Sequence, residues 1–297
     1  MLRFILQRLL FILVVVFSIV FAVQWGMLLI QGSEGLRETA PIAFEETTEF
    51  FSQLREGDLG SYEADNQRLE VVEMLRTSFL ASMGLLFAAS LLAALVGVLL
   101  GIFVALSKRG FFAFSVLAGT IVGISLPSFF AAMLLQHSMI VYIREFDSRL
   151  LSVAGFDWDY QHMILPILVL AARPVAYLMR TTYVVLKRTM EEDYIRTAKS
   201  KGLGRRYIVN VHAMRNVAVP ILTAIGVSWR FSLGILPIVE YMFAWPGMGL
   251  RMLEGINSQQ ASIVAPLSMI FGLTLLLGNL VLDIAYRIVD PRVRDDA

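Results

Sequence analysis

The stretch TSFLASMGLLFAASLLAALVGVLLGIFVALS, from Thr77 to Ser107, contains no Asp, Glu, Lys or Arg and no proline. A helix needs about 20 consecutive apolar residues to cross the hydrocarbon core of a bilayer, so this run is long enough to span by itself. Outward from it, Leu9 to Ser33, Gly110 to Ile143 and Gly255 to Leu282 are equally free of charge. Two more stretches, near His162 to Leu186 and Val217 to Val239, have the same apolar density but are interrupted by Arg173 and Arg180 in one and by Arg230 in the other. The pattern predicts an all-α integral membrane protein with six transmembrane helices. A first helix covers 1–30, an outer loop or cap 31–76, and a five-helix core 77–297 with a long inner loop at 187–216.

Composition agrees with that reading. The 297-residue chain is 57% hydrophobic and 16% charged, whereas a soluble domain has about a quarter of its residues charged. Its net charge of +1 argues against a nucleic-acid binder with a basic face. The absence of cysteine excludes a disulfide framework, a thiolate metal site and a cysteine nucleophile. The apolar run after Arg8 is longer than the roughly 7 to 15 residues of a signal-peptide core, which predicts an uncleaved first helix.

The charges separate once they are laid on the chain. Residues 1–8, the connection at Lys108-Arg109, the 187–216 loop and the tail from Arg287 together hold 15 basic residues; the alternate connections hold 7 basic against 17 acidic ones. Basic loops stay cytoplasmic, so both termini are expected there. In the outer segment Phe44, Phe51 and Leu54 are spaced for one helical face, Gly57-Asp58-Leu59-Gly60 forms a break, and a second helical run is expected from about Gln67.

Enzyme signatures are missing. There is no phosphate-binding G-x-x-x-x-G-K-[ST] loop, and His137, His162 and His212 lie apart without metal-ligand spacing. Gly97 and Gly101 form a small-x3-small pair of the kind that lets helices pack closely. The 187–216 loop reads as two short helices parted at Gly202-Leu203-Gly204. The first has Glu191, Glu192 and Asp193 in its opening turn and Lys199 and Lys201 near its close, as the helix dipole favours.

This loop, from Glu192-Asp193-Tyr194-Ile195-Arg196-Thr197-Ala198 through Gly202-Leu203 to His212 and Pro220, closely resembles the inner loop of binding-protein-dependent ABC importer permeases. More narrowly, it resembles the first permease of the dipeptide, oligopeptide and nickel branch. Other stretches agree in order: Gly57-Asp58-Leu59-Gly60, Ser125-Leu126-Pro127, Ile164-Leu165-Pro166, Glu240 through Trp245-Pro246-Gly247, Asn279 to Asp283, and Asp290-Pro291-Arg292. Arg196-Thr197-Ala198 stands where the general motif reads Glu-Ala-Ala, and Pro220 lies further from Gly202 than that motif places it; both departures look typical of the peptide branch. The first span ends Gln31-Gly32-Ser33-Glu34 where the branch commonly has Pro-Gly-Asp.

The resemblance implies a type I importer permease fold (MetI-like) in a prokaryotic inner membrane. It also implies a non-catalytic chain partnered by a homologous second permease, two cytoplasmic ATPases that carry ATP and Mg, and an extracytoplasmic substrate-binding protein. Asp193, Arg196, Thr197, Ala198, Gly202 and Leu203 are carried over as the ATPase contact. No cofactor or metal of its own is expected, and no nucleic acid. The substrate class is peptide or a related small solute; a stand-alone secondary transporter or channel is the alternative.

Charges inside spans are costly and face a cavity or a partner. With a helical rise of about 1.5 Å per residue, Arg173 and Arg230 both come out near mid-depth, so they are candidates for the translocation pathway, facing an anionic group. Pairing with a companion subunit's carboxylate or with helix-end carbonyls is the other reading. Arg180 lies close enough to the surface to snorkel, and Asp283 sits near the inner end.

Overall fold

The computed structural model describes residues 2–32, 35–64, 67–107 and 109–289. In order, the elements are α1 (Leu2–Ile30), α2 (Leu36–Glu56), the hairpin β1 (Ser61–Ala64) and β2 (Gln67–Glu70), α3 (Val71–Leu106), α4 (Gly110–Ser125), α5 (Ser128–Phe146), α6 (Tyr160–Thr189), α7 (Asp193–Ser200) and α8 (Arg205–Tyr207). A π-helical turn (Ile208–Ala213), α9 (Met214–Phe243), α10 (Met248–Asn257) and α11 (Ala261–Val289) follow. The chain divides into two compact units, Met1–Gly84 with Ala244–Leu277, and Leu85–Phe243 with Gly278–Ala297.

Five helical stretches are long and apolar enough to cross a membrane: Gln7–Ile30, Val71–Leu106, Tyr160–Thr189, Arg205–Phe243 and Ala261–Tyr286. The expected single span at Gly110–Ile143 is instead a bent pair, α4 and α5 meeting at 105°. Pro127 is the cause. It disfavours helical backbone at the preceding residue, and Leu126 is extended at φ −73° and ψ 121°.

In the first unit the segment between the first two apolar helices is folded, and the spaced Phe44, Phe51 and Leu54 all lie on α2. The α2 helix runs antiparallel to α1: Trp25 Nε1 donates to Thr39 Oγ1 at 2.9 Å, and the Phe17 ring lies against Phe44 and stacks on Phe51. Gly57, at φ +83°, ends α2 in the left-handed region. Asp58 Oδ1 then accepts from the Gly60 N–H at 2.7 Å, and Gly60 itself turns at φ +77°. The helical run expected from Gln67 is corrected: residues 61–64 and 67–70 pair as antiparallel strands, and α3 starts only at Val71. Leu59 and Tyr62 pack there beside Val71 and Leu75, so the hairpin buries apolar surface while satisfying its own backbone.

After a left-handed turn at Ala244, Trp245 is fully buried and its Nε1 donates to Ala81 O at 3.0 Å. Pro246 and Gly247 lead into α10, whose first N–H, from Met248, donates to Ser82 Oγ at 2.7 Å. That hydroxyl supplies one of the acceptors a helix start lacks.

In the second unit α6 and α9 form the central seam. The Gly97 and Gly101 pair lets α3 approach α6 closely: a Cβ on Gly101 would lie 2.6 Å from Thr182 Cβ and 2.7 Å from Met179 O. Asp159 caps α6, its Oδ1 accepting from the His162 N–H at 2.9 Å and lying 2.8 Å from His162 Nδ1. These bonds hold the Asp159 carboxyl below the usual range, the backbone donor most strongly. Pro166 lies buried inside α6, and Pro220 lies within α9.

Candidate functional site

The loop between α6 and α9 is built around α7. Its alternation is helical: Ile195 and Ala198 turn inward onto Leu186, Ile208, Ala213 and Val217, while Asp193, Arg196 and Thr197 face solvent. A second anchor is a hydrogen bond from Asn216 Nδ2 to the Tyr194 hydroxyl at 2.7 Å. The helix closes in a Schellman arrangement, with Leu203 N–H donating to Ala198 O and Gly202 N–H to Lys199 O. Gly202 sits at φ +76°, where a side chain costs about 1–2 kcal/mol.

The six positions expected to contact a partner therefore divide. Asp193, Arg196, Thr197, Gly202 and Leu203 are on the exposed side, and Ala198 is only 6% exposed and belongs to the packing beneath. Arg196 and Asp193 are 3.4 Å apart and both exposed, a pair worth little to stability. The second short helix expected after Gly204 is not separate. From Arg205 the chain continues unbroken through the π-helical turn into α9, so the fifth apolar stretch begins at Arg205, well before the expected start near Val217.

The arginines lie at one height. Arg173 stands as far along α6 from its start at Tyr160 as Arg230 stands back along α9 from its end at Phe243. The loop leading into α6 reaches the end of α9, where the Gly155 N–H donates to Phe243 O at 2.8 Å. Half-buried Arg173 places its guanidinium 4.6 Å from the centre of the Phe231 ring. Exposed Arg230 donates from Nε to Asn279 Oδ1 at 2.9 Å. Among the described residues neither forms an ion pair with a carboxylate. Phe231 and Asn279 were not foreseen as partners. The available signal was position: Phe231 follows Arg230, and Asn279 precedes Asp283 by one turn on α11.

Two further expected positions lie on these helices. Glu240 is fully buried near the end of α9, and Asp283 is half-buried on α11. Asp290-Pro291-Arg292, Ser33, Glu34 and Lys108 lie outside the described residues.

Residues 97–295 match the family described as the binding-protein-dependent transport system inner membrane component. The chain is 32% identical over 225 residues to the dipeptide transport system permease protein DppB of Bacillus subtilis, covering 75% of this chain and 71% of that one. It is 31% identical over 268 residues to a putative peptide permease protein of Brucella ovis, covering 88% and 82%. Against the glutathione transport system permease protein GsiC of Salmonella typhimurium it is 30% identical over 245 residues, covering 82% and 78%. With a helical loop protruding between two apolar helices and a match across two thirds of its length, the chain belongs to the family of inner membrane components of binding-protein-dependent transport systems.

Proposed function

We propose that this chain is one permease half of an ATP-driven importer of short peptides, and that α7 is the element through which ATP hydrolysis on partner subunits reaches the membrane. The observation that carries this is the mounting of α7: a short helix with a buried underside fixed to the ends of α6 and α9 and a polar face directed outward. A rigid helix held in that way moves the two spans when a partner moves it. In this reading the bent pair counts as the third of six spans, the termini and α7 are cytoplasmic, and a homologous permease completes the pathway. Two ATPases hold MgATP, and an extracytoplasmic binding protein delivers the substrate.

Peptides are the class that fits the arginines. A peptide ends in a carboxylate, and the guanidinium groups of Arg173 and Arg230 lie at mid-span beside a ring and an amide. A cation there, without a carboxylate partner among the described residues, is suited to a transient anionic one.

Reversing the charge of the exposed Arg196 tests the coupling. In the reconstituted transporter Arg196→Glu is expected to lower peptide uptake about ten-fold, on the scale of a charged contact, while the complex still purifies with unchanged thermal stability. Uptake equal to that of the parent would contradict a contact through this face.

A further inference from the structure

Where α3 ends, a cleft of about 410 Å³ is walled by Leu106 of α3, Met190 at the end of α6, and Leu203 and Ile208 beyond α7, with Lys199 and Arg205 as its two cations. Both cations are bonded to main-chain carbonyls: Lys199 Nζ donates to Met190 O at 3.5 Å, and Arg205 Nη2 to Leu106 O at 2.6 Å. These oxygens belong to helix C-termini, where carbonyls lack intrahelical partners and the dipole leaves about half a negative charge. Among the described residues no carboxylate lines the cleft. Two full positive charges thus face roughly one unit of partial negative charge, and each cation has donors to spare.

The apolar side of the cleft continues along the span. Leu99, Phe103 and Leu106 follow one another at intervals of four and three residues, on a single face of α3. Leu99 and Phe103 are each 63% exposed. Leu106 is the last apolar residue before Ser107, so the cations stand at the level where hydrocarbon gives way to headgroups, above an exposed apolar track. We infer that the cleft binds the phosphate headgroup of an anionic phospholipid, with an acyl chain along Leu99 and Phe103. A free phosphate shares the headgroup chemistry but leaves the track uncovered. The bound lipid would join the end of α3 to the α7 loop and so stiffen the loop.

Lipid retention tests this without reference to transport. The complete purified transporter is released from bilayers of equal phosphatidylglycerol and phosphatidylcholine, and its retained lipids are weighed by native mass spectrometry. Two basic contacts at a membrane surface predict a preference of about thirty-fold for phosphatidylglycerol. Lys199→Gln, which leaves the Arg205 bond to Leu106 in place, should reduce it to about five-fold, and Lys199→Gln with Arg205→Gln should nearly abolish it. Lys201→Gln with Arg206→Gln removes as much charge from the same loop outside the cleft and should leave the preference intact. Equal loss in this control would show diffuse attraction and overturn the site. Displacement of the lipid by millimolar inorganic phosphate would also overturn the assignment.

Discussion

Arg173 and Arg230 stand on the packed helices α6 and α9, the first beside the Phe231 ring and the second bonded to Asn279. Their expected depth followed from chain position and helical rise alone, because a rise of about 1.5 Å per residue is fixed by backbone geometry. Their surroundings did not, since a helix position names a height and leaves open which neighbour comes within reach. Phe231 and Asn279 emerged only from the packing of α6, α9 and α11. The expected functional outcome is selective. Arg173→Ala and Arg230→Ala should each reduce uptake of a peptide with a free C-terminal carboxylate about ten-fold, the scale of a charge-assisted hydrogen bond. Uptake of the same peptide with an amidated C-terminus should change little; equal losses for both substrates would contradict the anion reading. Gly101 is the converse case. Its spacing from Gly97 announced a close approach, and the structure supplies the partner, the backbone and side chains of α6 at Met179 and Thr182. Ala198 was legible as part of the loop but not as its underside.

At the scale of elements, straight apolar helices were plain in the sequence and irregular ones were not. Charge-free length marks a span, but bends arise from one residue: Pro127 turns a stretch that hydropathy sees as continuous into α4 and α5. The π-helical turn at Ile208–Ala213 has no signature in the apolar pattern, which is why the loop was expected to extend to residue 216. The paired strands β1 and β2 were similarly hidden, because four-residue strands are too short for a period to register. The start of α6 carries a prediction of its own. The depressed carboxyl of Asp159 means that its contribution is fully present above the ordinary Asp value of about 3.9 and is lost as pH falls through the lower folded value. Thermal unfolding should therefore show a decline in melting temperature across that acidic window. Asp159→Asn can still accept from the His162 N–H and should flatten the decline, while Asp159→Ala should melt lower at neutral pH as well. An unaltered pH profile in Asp159→Asn would show that the cap is not the titrating group.

For the whole molecule, a net charge of +1 conceals a polarised chain, with 15 basic residues in one set of connections and 17 acidic ones in the other. That distribution, with the charge-free runs, made the membrane architecture accessible before any contact was known, while the family resemblance rested on the residues of the 187–216 loop and the motifs that accompany it. Which face of α7 turns outward, and what neighbours the two arginines, depended on three-dimensional packing. These levels meet in the proposed function, peptide movement driven through α7 by ATP hydrolysed elsewhere, on substrate handed over by a binding protein. The most direct measurement is uptake of a labelled dipeptide into proteoliposomes containing this chain and its companion permease, with ATPase subunits and binding protein added or withheld. Uptake should require ATP, both added components and this chain together. Sustained uptake in the absence of the ATPase subunits would contradict the account and establish a transporter that works alone.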